Sequence, residues 1–152
     1  MWTTIPTKVS MAKHFEHNVR VYYEDTDAGG IVYYANYLKY LERARTEMIY
    51  SLGLNHNMLV DKYGFQIVVS HLDITFKKSA HFEDFLIIKT ELKNLSAVKL
   101  EMNQKVFKVD CWTAKKSEEL LVEAEIILAC VNKQGRPEKM PLETMDLFKS
   151  CL

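Results

Sequence analysis

The stretch VRVYYEDTDAGGIVYYANYLKYLERAR, residues 19–45, decides the fold and carries the candidate chemistry. A partly apolar run leads into three acids, Glu24, Asp25 and Asp27, and two glycines then interrupt regular structure before a strongly helical segment. This order places carboxylates just before the N-terminus of a helix. Free backbone N–H groups and the positive end of the helix dipole meet there, so the same place can keep a carboxylate ionised and polarise a carbonyl group.

The pattern after the glycines predicts one long helix over residues 33–52, which Gly53 ends. At about 1.5 Å per residue such a helix is about 30 Å long, enough to cross a sheet. Its apolar stripe is broad, so we expect other structure to cover it. The stripe consists of Tyr37, Leu38, Tyr40, Leu41, Ala44, Met48, Ile49 and Leu52.

Alternating polarity predicts five strands, one before this helix and four after it. The four later strands follow one another through short turns with no helix between them, so the sheet should be mainly antiparallel. The predicted fold class is α+β, with an antiparallel sheet packed on one long helix. The first strand is predicted over 15–23, the second with Val68, Leu72, Ile74 and Phe76 on one face, and the others over 85–93, 98–115 and 120–130.

Length and composition indicate a single domain, because 152 residues with 48% hydrophobic content suffice for one core. We expect residues 1–13 to form a flexible N-terminal extension and residues 14–141 to form the domain. Residues 142–152 are predicted to be a C-terminal helix or tail.

The charge pattern argues against two classes of partner. Lysine plus arginine and aspartate plus glutamate number 20 each, and no basic block stands out, so neither nucleic acid nor a membrane surface is an expected partner. No stretch has the character of a signal peptide or a transmembrane segment. Three widely separated cysteines, Cys111, Cys130 and Cys151, fit reduced thiols in a cytoplasmic protein.

Familiar catalytic motifs are missing from the sequence. It contains no serine nucleophile elbow, no P-loop, no dinucleotide-binding glycine motif and no zinc-protease helix motif, and its histidines lack metal-site spacing. We therefore expect no metal site, and carboxylate chemistry remains the route if the protein is an enzyme. By themselves, the three acids are equally typical of turn and capping residues.

The string from Arg20 to Arg45 closely resembles the signature of the acyl-CoA thioesterases of the 4-hydroxybenzoyl-CoA thioesterase family, and most closely the branch associated with the bacterial Tol-Pal system. The strand pattern fits this family over residues 15–141. The resemblance implies a hotdog fold, in which an antiparallel sheet wraps around a long helix. It also implies a homodimer or homotetramer with active sites between subunits, and hydrolysis of acyl-CoA without a cofactor, CoA being part of the substrate.

The resemblance also assigns roles within this string. Asp27 takes the place of the catalytic carboxylate, as nucleophile or general base, and Asp25 does not. The backbone N–H of Tyr34 takes the place of the group that polarises the carbonyl. The side chains of Tyr23 (the motif tyrosine), Tyr33 and Tyr34 are predicted to shape the acyl pocket, unless they serve only as aromatic packing at the helix start.

The sequence departs from the family pattern at one position, and it leaves one alternative function open. Members of this branch commonly carry histidine where this chain has Tyr34, so a catalytic imidazole would be lacking or replaced by a phenol. The alternative function is a non-catalytic module that binds acyl-CoA or acyl-carrier protein. Asp27 favours the enzyme, because a binding module has no need of a carboxylate there.

Overall fold

The computed structural model describes residues 14–152, and the predicted N-terminal extension lies outside them. A 3-10 turn at Tyr23–Asp25 and a short π-type helix at Met58–Lys62 supplement the main elements. The main elements are β1 (Phe15–Arg20), α1 (Asn36–Ser51), β2 (Gln66–Phe76), β3 (Phe85–Leu95), β4 (Lys99–Val109), β5 (Glu118–Val131) and α2 (Leu142–Lys149).

The five strands form one sheet in the order β1-β3-β4-β5-β2, and every pairing is antiparallel. This confirms the predicted α+β class and the antiparallel sheet. Strands β3, β4 and β5 follow one another as neighbours, whereas β1 and β2 lie at opposite edges. Helix α1 is the connection between these two edge strands.

One hydrophobic core joins the sheet to both helices. Helix α1 buries Tyr37, Tyr40, Leu41, Ala44 and Met48, whereas Leu38, which the sequence pattern placed in the same stripe, is exposed. Helix α2 contributes Phe148, which is fully buried in the same core. The inward-facing sheet residues include Leu86, Ile88, Leu100, Met102, Val106 and Ile126.

Two predicted strand ends are wrong, and specific hydrogen bonds explain both. Strand β1 ends at Arg20, because the N–H of Tyr22 donates to Oδ2 of Asp25 (2.8 Å) and the N–H of Asp25 donates to the carbonyl oxygen of Tyr22 (3.0 Å), which closes a turn. The acids therefore lie in and after a 3-10 turn instead of at the end of a strand. Strand β4 ends at Val109, because the Asp110 carboxylate accepts two backbone N–H groups from later in the chain and so closes a loop. These donors are Lys116 (3.0 Å) and Ser117 (3.4 Å).

The prediction that Val68 lies on the same face of β2 as Leu72 and Ile74 is also wrong. The pairing of β2 with β5 shifts register between Val69 and His71, and such an irregularity reverses the faces on its two sides. Ile67 and Leu72 consequently both pack against the core, while Val68 and Val69 are 39% and 50% exposed. An edge strand with exposed valines results.

Neither helix of residues 14–152 is long and apolar enough to cross a membrane. All three cysteines are free thiols, as predicted, and Cys130 is buried.

Candidate active site

Asp27 lies in a tight loop between the 3-10 turn and α1. Its N–H donates to the carbonyl oxygen of Ile31 (3.0 Å), and its own carbonyl oxygen accepts the N–H of Gly30 (2.9 Å). Thr26 and Val32 form an antiparallel bridge at the base of the loop. The backbone of the loop is therefore held by its own hydrogen bonds while the Asp27 side chain reaches the surface.

The Asp27 carboxylate is held at one oxygen. Its Oδ1 accepts the N–H of Gly29 at 2.8 Å, and a Cβ at position 29 would lie only 3.1 Å from that oxygen. Glycine therefore permits this close approach. Within residues 14–152 the carboxylate has no ion pair and no second hydrogen bond. The other oxygen, Oδ2, is thus available to a reacting group.

Asp25 has a different environment from Asp27. Its Oδ2 accepts the N–H of Tyr22 (2.8 Å), and its carbonyl oxygen accepts both the N–H of Tyr33 (2.9 Å) and the side-chain amide of Asn36 (2.9 Å). The half-buried Asp25 is therefore part of the scaffold that joins the acid loop to the helix.

Helix α1 begins at Asn36, three residues later than the sequence pattern predicts. The reason is that the turn before it is closed by i→i−3 bonds, from the N–H groups of Asn36 and Tyr37 to the carbonyl oxygens of Tyr33 and Tyr34 (2.8 and 3.3 Å), while the N–H of Tyr33 donates to the carbonyl oxygen of Asp25. The N–H of Tyr34 has no acceptor among residues 14–152. A free donor thus stands just before the positive end of the helix dipole.

The side chains of Tyr33 and Tyr34 are both exposed, Tyr34 by 62%, and their ring centroids are 4.9 Å apart. Tyr34 is the main cause of a raised pKa at the Tyr33 hydroxyl, and the charge of Asp27 adds to it.

A cleft of about 510 Å³ adjoins Asp27. Tyr23, a predicted pocket residue, lines it, whereas Tyr33 and Tyr34 do not. Phe82, which the sequence pattern did not indicate, also lines it and packs edge-to-face against Tyr23, with the ring centroids 5.9 Å apart. The full lining is Tyr23, Thr26, Asp27, Ala28, Gly30 and Phe82.

A second cleft, of about 590 Å³, lies near the other end of α1 and is lined by residues 50 and 53–57, none of which is acidic. The smaller cleft, which holds Asp27, is therefore the candidate active site. Among residues 14–152 no group of three or more histidine, cysteine, aspartate or glutamate side chains is placed to hold a metal ion.

An antiparallel sheet packed on one long helix, with an acidic loop leading into that helix, is the hotdog architecture implied by the resemblance. The sequence model of the thioesterase-like superfamily matches residues 21–148, and the chain belongs to this superfamily.

Individual relatives agree with this assignment. An acyl-CoA thioesterase YbgC from Haemophilus influenzae is 33% identical over 135 residues, covering 88% of this chain and 93% of the relative. The crystal structure of a probable thioesterase from Bartonella henselae superposes with a TM-score of 0.73 at 31% identity, covering 84% of this chain and 99% of that one. A mutant 4-hydroxybenzoyl CoA thioesterase, complexed with 4-hydroxybenzoyl CoA, shares the fold with a TM-score of 0.79 at 21% identity, covering 90% and 99% of the two chains.

Proposed function

We propose that this protein is an acyl-CoA thioester hydrolase, which converts an acyl-CoA and water into a carboxylic acid and CoA. Membership of the thioesterase-like superfamily and similarity to the Haemophilus acyl-CoA thioesterase support the reaction class. The main observation in support of the mechanism is the geometry around Asp27 and the start of α1. A carboxylate anchored at one oxygen by Gly29 adjoins a cleft, and an unbonded N–H stands at the start of the neighbouring helix.

In this proposal Asp27 acts on the thioester carbonyl by one of two routes. As a nucleophile, its Oδ2 attacks the carbonyl carbon and expels the CoA thiolate, and water then hydrolyses the mixed anhydride to regenerate the carboxylate. As a general base, it accepts a proton from the water that attacks the same carbon. Both routes yield the free acid and CoA, and neither requires a metal or other cofactor.

The backbone N–H of Tyr34 would stabilise the negative charge that develops on the carbonyl oxygen in either route. One well-placed donor of this kind contributes about 3 to 4 kcal/mol in other enzymes. The N–H of Tyr34, which has no acceptor among residues 14–152, supports a role for the backbone. If so, the tyrosine in place of the histidine usual in this branch costs the site little.

Tyr23 and Phe82 would form the aromatic wall against which the substrate lies, because their rings contact each other and both line the cleft that Asp27 lines. Tyr33, which lies outside the cleft lining, would contact substrate only further along the surface. Both tyrosines thus remain the substrate-binding residues of the proposal, with Phe82 added.

The proposal includes a homodimer or homotetramer in the cytoplasm. Strand β2 is an edge strand with exposed Val68 and Val69, and exposed edges invite pairing with another chain. The site aromatics are also open to solvent in a single chain, as expected if a second subunit completes the site. A link to the Tol-Pal system stays a prediction.

The test is thiol release, followed with Ellman's reagent, from a panel of short-chain, long-chain and aromatic acyl-CoAs. The proposal predicts catalytic turnover of at least one of them. A non-catalytic binding module, the alternative function, would bind acyl-CoA in titration calorimetry and release no thiol. That combination of results would overturn the proposal.

A further inference from the structure

We infer that Asn36 is a positioning residue, whose side-chain amide holds the acid loop and the helix start in the geometry that hydrolysis requires. This inference rests on the proposed function, because the geometry it explains is that of Asp27 relative to the Tyr34 N–H. Asn36 lies outside the cleft lining, so its effect would be indirect.

Two donors converge on one acceptor at this point. The carbonyl oxygen of Asp25 accepts the N–H of Tyr33 and the Nδ2–H of Asn36, each at 2.9 Å. Asp25 stands two residues before Asp27, and Tyr33 immediately precedes Tyr34. The two bonds therefore fasten the acid loop to the residues that carry the free N–H and to the helix itself.

The helix makes no use of Asn36 as a cap. The N-cap position is occupied by Ala35, and no side chain caps the first turn. Asn36 is the first helical residue, is half-buried, and directs its amide away from the helix toward the loop. A helix of this length would form without that bond, so the amide's contribution is to the relation between helix and loop.

Loss of this bond should act on turnover more than on substrate affinity. The Tyr33–Asp25 bond remains in its absence, so the loop stays attached but is less closely defined. A displacement of about 1 Å in a catalytic group can lower the rate about 100-fold. With one of two bonds kept, we expect Asn36→Leu to lower kcat by about tenfold and to change KM by less than about twofold.

Asn36→Asp provides a readout that a merely structural role would not give. An ionised carboxylate cannot donate to the Asp25 carbonyl, whereas the protonated acid can. Asp at a helix N-terminus is also favourable, so the helix itself should not weaken. At about pH 7 the introduced Asp is ionised, because the ordinary pKa of Asp is about 3.9, so Asn36→Asp should lower kcat about as much as Asn36→Leu without lowering the melting temperature.

Asn18→Asp, which adds the same charge at an exposed position of β1, is the matched control and should keep kcat near the wild-type value. A kcat within about twofold of wild type for Asn36→Leu would overturn the inference. A kcat within about twofold of wild type for Asn36→Asp at about pH 7 would overturn it equally.

Hydrogen exchange separates this inference from the proposed function. If the wild-type protein releases no thiol from any acyl-CoA, the proposed function fails. The amide hydrogen exchange of residues 26–35 then still tests whether Asn36 holds the acid loop. Faster exchange of this segment in Asn36→Leu than in wild type, with exchange in β4 and β5 unchanged, would support the positioning role of Asn36. Unchanged exchange would overturn it.

Discussion

At the scale of single residues, two carboxylates that stand two positions apart have different surroundings because of the backbone around them. Asp25 accepts the N–H of Tyr22 inside the 3-10 turn, and Asp27 projects from the loop with one oxygen on the N–H of Gly29. A side chain at position 29 would crowd Oδ1 of Asp27. The two glycines of the motif therefore serve the placement of Asp27 as well as the turn.

Substitutions at Tyr34 separate its backbone from its phenol. Tyr34→Phe and Tyr34→His keep the N–H and should change kcat only modestly. Tyr34→Pro removes the donor and should lower kcat by about 100-fold or more. The N–H of Tyr34 has no acceptor within residues 14–152, so proline breaks no internal bond there. Circular dichroism should precede the kinetics, because proline also restricts the residue before it.

A different result at Tyr34 would contradict the assignment of its backbone N–H as the oxyanion donor. If Tyr34→Phe is as inactive as Tyr34→Pro, the phenol is itself a catalytic group. The carbonyl-polarising donor would then have to be sought elsewhere in the cleft.

At the scale of elements, periodicity predicted the helix, the strands and their antiparallel pairing, and it failed where individual hydrogen bonds or a bulge decide. The helix begins late because i→i−3 bonds close the turn before it, and β1 ends early because the Asp25 carboxylate accepts the N–H of Tyr22. The register shift in β2 near Ser70 reversed the face of Val68. Hydrophobic periodicity gives no information on any of these features.

The sequence likewise indicated some residues of the candidate site and missed another. The motif indicated Asp27, Tyr34 and Tyr23 from one continuous stretch, whereas Phe82 comes from the segment after β2. A bridge between Ile31 and His81 brings that segment to the acid loop. A single phenylalanine in a polar segment carries no signal of this contact.

Strand β1 contains a group whose titration should affect stability. Burial lowers the pKa of His17 below its ordinary value. The unfolded chain therefore takes up the proton more readily, and stability should fall as the pH drops below about 6.5. We expect the melting temperature to fall more between about pH 8 and about pH 5 in the wild type than in His17→Gln. Equal falls in the two proteins would contradict this.

At the scale of the whole molecule, we predict a homo-oligomer at micromolar concentration. The exposed edge of β2 and the open aromatic side chains around Asp27 supply the physical reason. Sedimentation equilibrium or light scattering should give a mass at least twice the 17.7 kDa of one chain. A monomer alone under these conditions would count against a site shared between subunits.

The most direct test of the account is the kcat/KM of Asp27→Asn on the best acyl-CoA of the panel. Asparagine keeps the shape and an oxygen for the N–H of Gly29, so the fold and melting temperature should stay nearly unchanged. Asp25→Asn is the matched control, since it keeps an acceptor for Tyr22, and its effect should be mild. Asp27→Asn should lose most of its activity. Retention of more than about a tenth of the wild-type kcat/KM would contradict the assignment of Asp27 as the catalytic group.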